Sequence, residues 1–275
     1  MVSAICQKRA LPIYWVLLEK EGSSNLQEQQ QALRPVIRLL KKYKIVVIGD
    51  REFHSVELAS WLQKQNISFV FRQKQETTFC QKRQKFQPLS SISISPGVRI
   101  FYTNINFTQK SGNNRFNLVA YWKRKYRGKQ EKQAWYLLTN LLDLDSIIKI
   151  YSQRFGIEAM FKDCKTGGYN LEGSQANPDK LVRLILLIAL ALTSAWLQGQ
   201  RTKLQRQQPY ICRSQEKDRT RKRHSDFWIG LYGQNWIVAF HECQIWVEEL
   251  MNSIRNKQTF YRRGLKAMSL IQPAL

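Results

Sequence analysis

A chain of 275 residues with 44 Lys plus Arg against 20 Asp plus Glu carries a formal net charge of +24 and a pI near 10.1. A hydrophobic content of 43% excludes a disordered polymer and leaves enough apolar surface for one large core or two modest ones. So large a cationic excess points to a polyanionic partner.

The elements follow in chain order. VSAIC and LPIYWVLLE, on either side of Gln7-Lys8-Arg9, predict a β-hairpin. After the Gly22-Ser23-Ser24 loop, Asn25 with Glu28 three residues on predicts a capped helix over 26–43, interrupted and kinked at Pro35. KIVVIG at 44–49 is a short apolar run, expected as a strand buried on both faces and ending at Asp50. Ser55 is expected to cap a helix running to residue 64, and 67–71 to form a strand. Strand, helix and strand with short links predict a parallel βαβ unit.

The chain then changes character. Residues 72–132 hold 14 Lys or Arg against only Glu76 and Glu131, in short β-like pieces: SISIS, VRIFYT and FNLVAYWKR. With a turn at Ser111-Gly112-Asn113-Asn114 and the strand AWYLLTN, they predict a β-rich insertion. Asp143 or Asp145 is expected to cap one long helix through residue 165. A further helix is predicted over 178–198 and another over 236–254. The apolar run 184–197 is shorter than a membrane span and is expected to be a buried helix. Between them, 200–224 carries nine Lys or Arg against Glu216 and Asp218. These two basic segments are the expected phosphate-binding surfaces.

Five scattered cysteines with no CxxC pair argue against a zinc site and for a reducing compartment, hence a cytoplasmic, nucleoid-associated protein. The N-terminus does not have the form of a signal peptide.

Two groups carry candidate chemistry. Asp50 follows a buried strand, at the carboxyl edge of a parallel sheet, where open α/β folds bind ligands; the simpler role there is turn capping. In YSQRFGIEAMFKDCK, Tyr151, Arg154, Glu158 and Lys165 lie three, four and seven residues apart. At about 100° per residue they share one helical stripe roughly 60° wide. A carboxylate can hold a metal ion and the cations can hold phosphate; a solvated helix face is the plain alternative. Asp163 falls about 140° from Glu158, and His54 reads as helix-start surface.

This spacing resembles the YREK signature of insertion-sequence DDE transposases of the insertion-sequence-four type, with a likeness that runs to about Gly199. The resemblance implies an α/β, ribonuclease-H-like catalytic domain interrupted by the β-rich insertion. Its parts would be 1–75 (first part of that domain), 76–140 (insertion), 141–200 (helices carrying Glu158) and 201–275 (basic tail with a helix). It implies two Mg²⁺ ions held by carboxylates, among them Asp50 and Glu158, and DNA strand cleavage and transfer. Arg154 and Lys165 would grip phosphates, and Tyr151 would hold the terminal nucleotide. Trp122 or Trp135 would stack on a flipped base. Partners would be transposon-end and target DNA, with a homodimer in a synaptic complex and no membrane.

The pattern departs from the family in one place. The family's first catalytic aspartate lies on a strand before the opening hairpin, whereas no acidic residue here precedes Glu19. The expectation is therefore an N-terminally truncated fragment, its first strand missing, with impaired cleavage. The alternative is a non-catalytic DNA-binding or interfering remnant; the four-residue spacing disfavours an unrelated nuclease.

Overall fold

Local hydrogen bonding sets the first elements of the computed structural model. It describes residues 1–275 except 8, 21, 82–84, 109–114, 125–131, 166–168, 213–223, 239 and 272–275. Val2–Cys6 (β1) and Arg9–Tyr14 (β2) form the predicted antiparallel hairpin. Asn25 accepts from the Glu28 amide at 3.0 Å and Glu28 accepts from the Asn25 amide at 2.7 Å, so the capping box starts Leu26–Leu39 (α1) as expected. Val46–Gly49 (β3), Val56–Lys64 (α2, capped by Ser55) and Ser68–Arg72 (β4) make the parallel βαβ unit, with Gly49 opposite Phe71.

The basic segment is β-rich, as expected. Its strands are Thr78–Cys80 (β5), Gln87–Pro88 (β6), Arg99–Phe107 (β7), Arg115–Tyr121 (β8) and Trp135–Thr139 (β9). They continue the sheet begun by β3 and β4, in the order β3-β4-β9-β8-β7-β5-β6, and do not form a sheet of their own. The reason lies at β4, whose second edge is filled by β9 through Val70–Thr139, Phe71–Leu138 and Arg72–Leu137. SISIS is not a strand: Leu89–Ser91 is a 3-10 turn with Ser91 bonded back to the Pro88 carbonyl. The predicted turn at 111–114 lies outside the described residues.

Successive side chains on the sheet enter two separate cores. Phe69, Phe71, Leu118, Tyr136 and Leu138 pack with Leu58 and Leu62 of α2. Val70, Val119, Trp135 and Leu137 pack with Ile147 and Tyr151 of Leu144–Ser152 (α3), which Asp143 caps. β3 is not buried on both faces as predicted. It is an end strand, so Val46, Val47 and Ile48 are only partly covered.

The single long helix through residue 165 is also corrected. α3 ends at Ser152 and Phe155–Cys164 (α4) begins after a two-residue joint. The amides of Gln153 and Arg154 bond to the carbonyls of Ile150 and Tyr151, three residues back. Such contacts three residues back are those of a tighter, 3-10-like turn. Tyr151 and Phe155, on either side of the joint, both pack on the Trp135 ring, at 5.0 and 6.3 Å.

The chain divides into two units, Met1–Phe161 and Lys162–Leu275. The second is helical: Pro178–Leu204 (α5), Gln208–Ile211 (α6), Asp226–Val238 (α7), Phe240–Ser253 (α8) and Gln258–Ile271 (α9). α7 was not predicted. By length and composition α5 could cross a bilayer, yet it buries Ile185, Ile188, Leu192, Ala195 and Trp196. It touches α7 through glycines: a Cβ on Gly230 would stand 1.7 Å from the Ala195 carbonyl oxygen. Gly230→Ala is therefore expected to push the helices apart and cost about 3 kcal/mol. A lower denaturant midpoint at unchanged slope would register it.

Candidate active site at the tip of the parallel strands

β3 ends in Gly49, where a Cβ would stand 2.7 Å from Phe53 and 2.9 Å from Phe71. Only glycine lets the chain turn this tightly against the core. The turn delivers Asp50, whose Oδ1 accepts from the Glu52 amide at 3.0 Å and caps the 3-10 turn Arg51–Phe53. Its Oδ2 lies 3.9 Å from Arg154 Nη1. Asp50 therefore caps the turn with one oxygen and presents the other.

Glu158 stands in the first turn of α4, where a helix favours negative charge. It accepts from Arg154 Nη2 at 2.7 Å. One guanidinium thus binds both carboxylates. The acid side chains are 45% and 56% exposed, whereas that of Arg154 is only 15% exposed. Its guanidinium lies 5.2 Å from the Phe155 ring centre and 5.9 Å from that of Tyr151. The joint between α3 and α4 makes this possible by turning Arg154 across the start of α4 toward Asp50.

Tyr151 is 1% exposed, with its ring edge-on to Trp135. Burial pushes its hydroxyl pKa up, while Arg154 and Arg72 pull it back. No well-formed hydrogen bond closes on that hydroxyl among the described residues. A nucleotide could reach this ring only if Arg154 or Phe155 moved; as placed, Tyr151 supports Arg154.

Arg72 was missed by the sequence reading. It ends β4, one step beyond the Gly49–Phe71 pair, and so stands level with Asp50. Burial lowers its pKa, the nearby Tyr151 raises it, and Arg51 and Arg154 lower it further.

The other candidates separate. Trp122 is half-buried and packs on the α2 face of the sheet, opposite the face that holds Tyr151. Trp135 is a core residue at 4% exposure. Lys165 is exposed and belongs to the second unit. Asp143 is a helix cap, Asp145 pairs with Arg99, and His54 Nδ1 lies 2.8 Å from the Arg51 carbonyl oxygen.

Two half-exposed carboxylates are hard oxygen donors suited to a divalent cation. Among the described residues, no group of three or more His, Cys, Asp or Glu converges on one metal position. Asp50 and Glu158 nevertheless fit such an ion in charge and chemistry, because a cation already bridges them.

The sheet order and the βαβ core are those of a ribonuclease-H-like α/β protein, with Asp50 and Glu158 joined through Arg154 at the strand tip. The family model described as transposase DDE domain matches residues 1–194, and the chain belongs to that family. Membership carries transposase function, DNA as the partner and use of divalent metal. No curated protein matches the chain.

Arg154→Gln removes the positive charge from between the two acids. In chelated buffer the variant is expected to melt several degrees lower, and to bind Mn²⁺ roughly threefold to tenfold more tightly than the parent chain. Calorimetric titration with Mn²⁺ and melting with and without the ion check both.

Proposed function

We propose that this chain is a DDE transposase of the insertion-sequence-four type, acting with Mg²⁺ on the ends of its own element in the cytoplasm, and working as a homodimer on paired ends. The observation that carries the reading is the joining of Asp50 and Glu158 through Arg154. Their separation in sequence and convergence at one strand tip support a shared cation. Asp50 and Glu158 would hold the ion, which supplies Lewis-acid activation at the scissile phosphate. Arg154, on leaving the carboxylates, has a forked cation to offer a phosphate, and Lys165 has a point charge. Phe155 and Tyr151 keep that guanidinium stacked and aimed. Trp122 is retained as the base-stacking candidate, because it is half-exposed beside Lys123 and Arg124.

A second reading is favoured by one observation. The described residues bring two carboxylates together, where a three-carboxylate site would hold two ions. With two, cleavage is impaired and the chain acts as a DNA-binding remnant that competes at transposon ends.

One experiment separates the readings. DNA carrying the ends of the encoding element is incubated with the chain and Mg²⁺. The catalytic reading expects nicking that falls at least about 100-fold in Asp50→Asn and Glu158→Gln, with salt-dependent DNA binding retained. Binding without nicking by the parent chain selects the remnant.

A further inference from the structure

The second unit changes sign along its sequence. Residues 224–254 hold no lysine or arginine, in a chain with 44 of them, and carry Asp226, Glu242, Glu248 and Glu249. α8 lies wholly inside this acidic stretch and is sparsely covered: Ile245, Trp246 and Leu250 are 58%, 69% and 41% exposed. Keeping a tryptophan and two aliphatic side chains in water forgoes the free energy that their burial would bring.

Helical geometry puts these side chains on one face. At about 100° per residue, Glu249 projects between Ile245 and Trp246, roughly 40° from the first and 60° from the second, with Leu250 beyond Trp246. Cys243, Val247 and Met251, on the other side of the helix, are partly covered. Glu248 stands at the rim and accepts from Gln244 Nε2 at 3.2 Å. Neither Glu248 nor Glu249 has an ion pair among the described residues. A carboxylate without a counter-ion therefore sits amid three exposed apolar side chains.

That combination selects its ligand. Phosphate is repelled by the two glutamates and finds no cation between residues 224 and 254, so this face is unlike the rest of a DNA-binding chain. A bilayer would have to take in the Glu249 carboxylate together with Ile245 and Trp246, at the cost of burying an unpaired charge. A cationic protein surface satisfies both features at once. Trp246 and Leu250, four residues apart, form the kind of ridge against which a second helix packs. An exposed tryptophan flanked by aliphatic groups is also the composition of an interface hot spot.

We propose that α8 docks a cationic amphipathic helix of a second protein. The incoming helix lays an apolar stripe on Ile245, Trp246 and Leu250 and brings a lysine or arginine to Glu249, while Glu248 draws further cations at the rim. This surface takes a protein where the basic segments take DNA. It does not depend on the catalytic reading of Asp50 and Glu158.

The test uses the 275-residue chain at physiological ionic strength without DNA. The probe is a capped, fluorescent peptide of sequence LKKLLKLLKKLLKL, whose leucines share one helical face. The control is a scramble of the same residues whose leucines fall on all sides. The expected result is saturable anisotropy for the first peptide and binding at least about tenfold weaker for the scramble. Trp246→Ala and the charge-reversed pair Glu248→Lys with Glu249→Lys are each expected to weaken binding at least about tenfold. These side chains are exposed, so both variants are expected to melt with the parent; if Trp246→Ala melts lower, the charge-reversed variant decides. Equal binding of the two peptides, or affinity unchanged in the charge-reversed variant, overturns the proposal. So does self-association of the parent chain in sedimentation that Trp246→Ala abolishes, which assigns the face to a second copy. Binding to neutral phosphatidylcholine vesicles that requires Trp246 overturns it as well, in favour of lipid. None of these results touches the nicking experiment.

Discussion

Everything at the strand tip depends on one guanidinium. Arg154 is held by aromatic rings, reaches Asp50 on one side and Glu158 on the other, and is itself largely buried. Two carboxylates facing each other across a small space repel unless a cation lies between them. Here that cation is an arginine. Each half-exposed pair is worth at most about 1 kcal/mol, so the arrangement can be exchanged at little cost.

The joint between α3 and α4 makes that arrangement possible, and it is where sequence reasoning was least complete. Ideal periodicity put Tyr151, Arg154, Glu158 and Lys165 on one stripe. The structure keeps the Arg154–Glu158 pair, because a spacing of four brings side chains together across the joint. It buries Tyr151 and leaves Lys165 in the second unit. The tightened carbonyl contacts at 153 and 154 answer to Trp135, a residue on a strand. Helical periodicity carries no information about such a tertiary anchor.

Signals confined to a few residues were legible. The Asn25–Glu28 box, the Ser55 cap, the strand tip at Asp50 and the parallel unit all appear as read. Pairing across long separations was not. The strands of the basic segment join the sheet begun by β3 and β4 because β9 fills the second edge of β4, a pairing that composition does not announce. Charge marks what faces solvent, while sheet order is decided by which edges remain unpaired. Arg72 shows the same limit: nothing in its neighbourhood announces a site, and only its register with Asp50 places it there.

The same register argument links the acidic pair to the open edge of β3. Asp50 is positioned by a strand that has a neighbour on one side only, and Gly49 gives that strand no side chain to pack. A strand held by one ladder twists and frays more readily than one held by two, since half its backbone groups answer to solvent. Glu158, fixed to a helix beside the same open edge, meets the same boundary from the other side.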